Sequence, residues 1–191
     1  SDFGTNYHGW QIQPNGSSVQ ECLMKALSTF LRRDVEVIGA GRTDAGVHAK
    51  EQVANVHLKE RVDPQEVKQY LNRYLPEDIA VTEVRAASER FHSRLNVVKK
   101  TYVYRIWNAD YPNVFERKYM LHDNRPMDVE AMRQAAQYLL GKHDFAAFCG
   151  NAKMKKSTVR TIHEIDIRRI GEEIRFTYTG NGFLQNMIRI I

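Results

Sequence analysis

Residues 36–50 read Glu-Val-Ile-Gly-Ala-Gly-Arg-Thr-Asp-Ala-Gly-Val-His-Ala-Lys. The apolar run Val35, Val37 and Ile38 predicts a strand that enters a loop containing Gly39, Gly41 and Gly46. Glycine permits positive φ and close backbone approach, so the segment suits a tight loop at a strand end. Such a loop holds Asp44 at a defined point, beside the cation Arg42 and the hydroxyl Thr43. One reading, a dinucleotide fingerprint, fails on spacing. Its third glycine falls at Asp44, and Gln52 to Leu58 alternate like a strand where a helix is required. Two readings stay open on these residues alone: a glycine hairpin whose Asp caps a turn, and a catalytic carboxylate on a rigid loop.

Outward from the loop, the element order can be read. Val19, Cys22, Leu23, Ala26, Leu27, Phe30 and Leu31 recur at helical spacing after a cap at Ser17 or Ser18. A strand is expected over 51–59. Asp63-Pro64-Gln65-Glu66 opens a second helix, with Val67, Leu71 and Tyr74 inward and Pro76 ending it. Residues 79–87 read as another strand. Strand, helix, strand, strand, helix, strand is the split βαβ, ferredoxin-like order, with its first strand curtailed.

The second half repeats that order, with a strand over 97–107, a helix over 128–140 and a hairpin of 159–170 with 174–178. A helix is expected over 183–191. The expected fold class is therefore α+β, with two ferredoxin-like halves, 1–95 and 96–191, sharing one long, mainly antiparallel sheet. Helices would cover one face and a nucleic-acid cleft the other.

Composition narrows the partners. With 28 Lys and Arg against 23 Asp and Glu, the net charge of +5 permits an RNA partner without demanding one. The excess is concentrated over 85–105, where Arg85, Arg90, Arg94, Lys99, Lys100 and Arg105 face Glu89 alone. Tyr102 and Tyr104 alternate through this stretch onto one strand face, and cations interleaved with aromatics suit phosphates plus base stacking. A lysine-protected strand edge gives the same pattern. Cys22 and Cys149 form no metal or disulfide motif, and the histidines are scattered, so no metal is expected. His143 beside Asp144 hints at a proton relay but lacks a nucleophile, and a structural role fits better. No apolar run approaches the ~18–20 residues of a membrane span, and no signal peptide opens the chain. A soluble, cytoplasmic protein is expected.

Gly39-Ala-Gly-Arg-Thr-Asp-Ala-Gly-Val-His-Ala49 resembles, nearly letter for letter, the signature of the tRNA pseudouridine synthase A family. The resemblance extends over nearly the whole chain. Gly4-Thr5 through Gly9-Trp10-Gln11 is similar to the family's opening, which a further strand normally precedes, so both termini are expected to be truncated. Phe91-His92-Ser93-Arg94 resembles F-H-A-R, with Ser93 a departure. Lys100-Thr-Tyr102-Val-Tyr104 resembles K-x-Y-x-Y, His143-Asp-Phe resembles H-[DN]-F, and Phe183-Leu through Met187-Ile-Arg189 resembles F-L-x-x-M-V-R.

The resemblance implies isomerisation of uridine to pseudouridine in the anticodon stem-loop of tRNA, by a homodimer and without a cofactor. It assigns Asp44 as nucleophile and Arg189 as its ion-pair partner. Tyr102 becomes the base-stacking platform, and Phe91, His92 and Arg94 become RNA contacts. Arg42, next to the nucleophile, is the residue expected to flip the base. A cation on an otherwise apolar segment needs a partner, and Asp44 is the natural one for Arg189. The loop glycines are expected to let an RNA backbone approach. Two rivals remain, a non-catalytic RNA-binding module and a purely structural ferredoxin-like protein. Neither explains matched motifs around both Asp44 and Arg189.

Overall fold

A computed structural model describes residues Ser1–Ile191, which fall into two compact units, Ser1–Val97 and Val98–Ile191. In the first, helix α1 spans Val19–Leu31. Ser18 starts it: the extended backbone there turns its Oγ onto the Glu21 amide at 3.2 Å, satisfying a donor that a helix start leaves open. Val19 and Leu27 are buried, and Cys22, Leu23, Ala26, Phe30 and Leu31 pack around them. Arg33 forks onto Glu60 at 2.6 and 2.7 Å just beyond the helix.

Strand β1 (Ile38–Gly39) pairs antiparallel with β2 (Ala54–Asn55). Helix α2 (Pro64–Tyr74) begins where Asp63 accepts the Gln65 amide at 2.9 Å, with proline at the first turn. Val67 and Leu71 face the core. Tyr74 does not: it is 58% exposed, its ring tilted against Tyr70 at 4.4 Å with Arg73 over its face. Tyr7, Trp10, Val35, Val37, Leu75 and Ile79 complete this core.

The strands expected over 51–59 and 79–87 shrink to β2 and a single bridge at Ile79. Asn72 explains the second loss. Its side chain accepts the Val81 amide at 2.7 Å and donates to the Val81 carbonyl at 2.8 Å, standing in for a strand partner. What survives of a sheet around the amino terminus is Asp2, bridged antiparallel to both Ala49 and Ile79.

The second unit contains strand β3 (Lys100–Trp107), β4 (Leu121–His122), helix α3 (Val129–Ala136), β5 (Gly141–Asp144), β6 (Val159–Ile170), β7 (Glu173–Gly180) and helix α4 (Met187–Ile190). Its five-stranded sheet runs β4-β3-β7-β6-β5, antiparallel throughout except for the β3–β4 pair. Strands β6 and β7 form the expected hairpin, turning at Gly171 with φ 59, and a register slip leaves a bulge at His163. Helix α3, capped by Asp128 on the Ala131 amide at 3.0 Å, tightens into a 3₁₀ turn over Gln137–Leu139.

The last helix is shorter than expected. The Gln185 carbonyl accepts from Gly150 at 2.8 Å, and Asn186 is left-handed with φ 56, so helical geometry begins only at Met187. Two small cores result, one around Phe145, Ile162, Leu184 and Met187, the other around Ala136, Ile167 and Ile174.

The fold is mixed α+β. The single long sheet expected is replaced by two sheets, of two strands in the first unit and five in the second. The extended segments of the first unit satisfy their backbone groups through side chains and turns and form little ladder. No helix is long and apolar enough to cross a membrane.

Candidate active site

Asp44 lies, half-buried, in the irregular segment after β1. Its carbonyl accepts the Val47 amide at 3.1 Å, closing a turn whose third residue, Gly46, has φ 75. That position needs a residue tolerant of positive φ, and a Cβ there would meet nothing, so backbone conformation and not space selects glycine. Gly39 answers a different need. A Cβ on it would fall 2.4 Å from the indole of Trp10, which is buried across the strand. Within the loop, Gly46 thus serves a turn and Gly39 the packing against Trp10.

The loop is fastened through its own carbonyls and amides. Trp10 N–H donates to Thr43 at 3.2 Å, Gln52 Nε2 to Gly41 at 2.8 Å, and Ala40 N–H to Val53 at 2.8 Å. Gly46 N–H reaches the Tyr7 carbonyl at 3.4 Å. The Tyr7 phenol is itself fixed by donating to Asp78, and burial together with that carboxylate pushes its pKa up. Tyr7 and Trp10 are both buried in the core of this unit. Arg42 projects, exposed, from the same loop.

The turn at 90–96 belongs to the same unit. Ser93 is 2% exposed; its amide donates to Asn55 Oδ1 and its Oγ to the Ile38 carbonyl, both at 2.8 Å. The one departure from F-H-A-R thus ties this turn to the strand that delivers Asp44. Sequence reasoning passed over it because a serine between His and Arg carries no signal of burial. His92 closes the turn: its amide donates to Asn96 Oδ1 at 2.7 Å, and Nδ1 accepts from the Arg94 and Leu95 amides at 3.2 and 3.3 Å. One imidazole nitrogen is therefore occupied by backbone. Phe91 is half-buried, and Arg94 is exposed.

In the second unit, Tyr102 sits in β3 opposite Tyr178 of β7, half-buried, with its ring edge-on to Phe183 at 5.1 Å. Helix α4 packs near the same strand, with Met187 fully buried and Arg189 exposed. Arg105, counted above in the basic stretch, is engaged elsewhere. It clasps Glu173 at 2.7 and 2.8 Å and Glu116 at 3.1 Å, and this pairing holds the Glu173 carboxyl down to about 2.

His143 and Asp144 form no relay. The imidazole Nε2 meets the Leu140 carbonyl at 2.6 Å, while Asp144 accepts the Ala146 amide at 3.0 Å. No group of three or more His, Cys, Asp or Glu side chains is placed to hold a metal ion.

The geometry thus gives one carboxylate on a fastened glycine loop in the first unit and one tyrosine on a laddered strand in the second. A family model described as tRNA pseudouridine synthase matches residues 3–96 and 135–191. A tRNA pseudouridine synthase A from Bacillus sp. (strain KSM-64) is 49% identical over 187 residues, 97% of this chain and 77% of that protein. A tRNA pseudouridine synthase A 2 from Bacillus anthracis is 42% identical over 189 residues, and a tRNA pseudouridine synthase A from Thermoanaerobacter sp. (strain X514) is 42% identical over 188, each covering 98% of this chain and 77% of the relative. The chain belongs to the tRNA pseudouridine synthase family and is an isomerase that acts on tRNA. Asp44 and Arg189 fall inside the segments matched by the family model, and Tyr102 falls between them.

Proposed function

We propose that the chain isomerises uridine to pseudouridine in the anticodon stem-loop of tRNA, with Asp44 as the nucleophile. The reaction breaks the bond between uracil N1 and C1′, turns the ring and rejoins it through C5. Oxidation state is unchanged, and no group donor is consumed. The observation that carries this reading is the loop itself. Its carbonyls are fastened at residues 41, 43 and 44, so the backbone that bears Asp44 is fixed in place, the preorganisation a nucleophile requires.

The remaining roles follow from residue chemistry. The target base must leave its stack, costing a few kcal/mol, and the exposed guanidinium of Arg42 fills the space vacated. Tyr102 receives the uracil face, returning about 1–3 kcal/mol of stacking. Arg189 is proposed as the counter-charge to Asp44. Phe91 and Arg94 meet the RNA, together with the outer edge of His92.

The catalytic loop belongs to an amino-terminal half, 1–95, and the stacking strand and Arg189 to a carboxy-terminal half, 96–191. The fragments pairing Ile79 with Asp2, Asp2 with Ala49, and β2 with β1 follow the ferredoxin-like order and support that fold for the first half. The working form is a cytoplasmic homodimer. Incubating the protein with an unmodified tRNA transcript and mapping pseudouridine tests the reading. Product in the anticodon arm is expected; product confined to another arm, or none at all, overturns it.

A further inference from the structure

Beside Tyr102 the second unit holds a cavity of about 360 Å³, lined by Lys100, Val159, Arg160, Asn181, Gly182 and Phe183. Its lining carries two cations and no carboxylate. Arg160 is positioned in advance, since its Nη1 donates to the Ser157 and Val159 carbonyls at 2.8 and 2.7 Å. Those bonds use one nitrogen and leave Nε and Nη2 of the planar fork for another acceptor.

The opposite wall is equally settled. Asn181 Oδ1 accepts the Thr161 amide at 2.9 Å, and its own amide donates to the Thr161 carbonyl at 3.0 Å, which pins the Gly180–Gly182 turn onto β6. Phe183, at the cavity's rim, is the ring that Tyr102 meets edge-on.

We propose that this cavity is a phosphodiester subsite, in which Arg160 and Lys100 hold the tRNA backbone next to the base carried by Tyr102. A nucleotide turned out of its helix brings its own phosphates with it. A base on Tyr102 therefore sets a phosphodiester within reach of the neighbouring rim. A guanidinium with a fixed plane binds phosphate oxygens in a fork, and an ammonium adds a point charge, the pairing expected for a phosphate and not for a neutral base. The inference rests on the reaction proposed above and adds to it the group that anchors the substrate's backbone.

Two variants test it. Lys100→Gln removes one charge at the end of β3. Gly182→Ala keeps every charge but narrows the cavity, because its Cβ would lie 3.6 Å from Arg160 Nε, an ordinary contact that the fold accommodates. Lys100→Gln is expected to weaken binding of an unmodified tRNA transcript about threefold to tenfold and to lower the slope of log affinity against log salt by about 0.7–0.9. Gly182→Ala is expected to weaken binding in the same direction.

Wild-type affinity in both variants overturns the subsite. So does weakening in Lys100→Gln alone, which would mark a diffuse surface charge. Displacement of tRNA by inorganic phosphate at low millimolar concentration and fixed ionic strength would mark a free-anion site and also overturns it. Absence of pseudouridine with the wild-type protein overturns the underlying reaction instead, so the two failures are distinguishable.

Discussion

The two units hold their candidate functional side chains by different means. In the first, Asp44 rides on a loop fastened at separate points: the amides of Trp10 and Ala40, the side-chain amide of Gln52 and the hydroxyl of Ser93. In the second, Tyr102 is one rung of a continuous ladder in which every residue of β3 from Lys100 to Trp107 has a partner in β7. Point fastening makes each contact individually costly to lose, because a buried donor or acceptor is left without a partner. A ladder distributes the same task, so a side chain on it can be changed without moving the backbone. The first unit should therefore respond to substitution in its supports, and the second mainly in the functional side chain itself.

The largest effects are expected where chemistry is removed and support is left alone. Asp44→Asn should lower pseudouridine formation about ten-thousandfold or more while tRNA binding stays near wild type. Ordinary turnover in that variant would remove Asp44 from the reaction. Tyr102→Leu is the parallel test in the ladder. It should cost roughly tenfold to a hundredfold in turnover, the equivalent of about 1–3 kcal/mol of stacking, with an unchanged unfolding midpoint. A fully active Tyr102→Leu protein would show that the uracil face rests elsewhere.

Support comes next. Trp10→Ala empties the space between β1 and α1 and should destabilise by about 3–5 kcal/mol in urea unfolding, typical of a large buried aromatic. Ser93→Ala removes a single hydroxyl and leaves the Ile38 carbonyl without that donor, for a loss of about 1–2 kcal/mol. The more informative readout is catalysis. If Ser93 positions the strand that feeds Asp44, kcat should fall while KM for tRNA holds, and Ser93→Thr should restore part of it. A rise in KM at constant kcat would place the serine's influence in RNA binding instead.

The same contrast governs what could be read from the sequence. The helices were legible because caps and helical spacing are local signals: Ser18, Asp63 and Asp128 all cap, and Val67 and Leu71 face inward. The long hairpin β6–β7 was legible for the same reason, in alternation around a Gly-Glu turn. The strands of the first unit were overestimated, since alternation marks extended backbone but not who pairs with it. At 79–87 the partner is the side chain of Asn72. The loop's likeness to the family motif was plain, whereas its fastening was not. The Trp10–Gly39 contact joins residues far apart in sequence, and neither residue reports the other. The basic stretch was also overcounted, because a tally of charges could not show that Arg105 is already held by Glu173 and Glu116.

That clasp supplies the smallest and most conditional effect, silent at neutral pH. Glu173 is buried between Arg105 and Arg175, and the Arg105 guanidinium, aided by Arg175, holds its carboxyl near 2 against an ordinary value of 4.5. A depressed folded-state pKa means the charged form is favoured in the folded protein. Its contribution is fully present above about pH 4.5 and is lost as pH falls toward 2, when the carboxyl protonates and the pairing is broken. Because Glu173 faces the end of β3 opposite Trp107, the loss should loosen the second unit's ladder specifically. Trp107 is the only tryptophan of that unit, so its fluorescence in a Trp10→Phe background can follow the sheet through urea unfolding. Between about pH 6 and about pH 3 the midpoint should fall more steeply with Glu173 than in a Glu173→Gln variant. Parallel pH profiles for the two proteins would mean that the backbone ladder alone holds β3 against β7, with the ion pairs contributing nothing measurable.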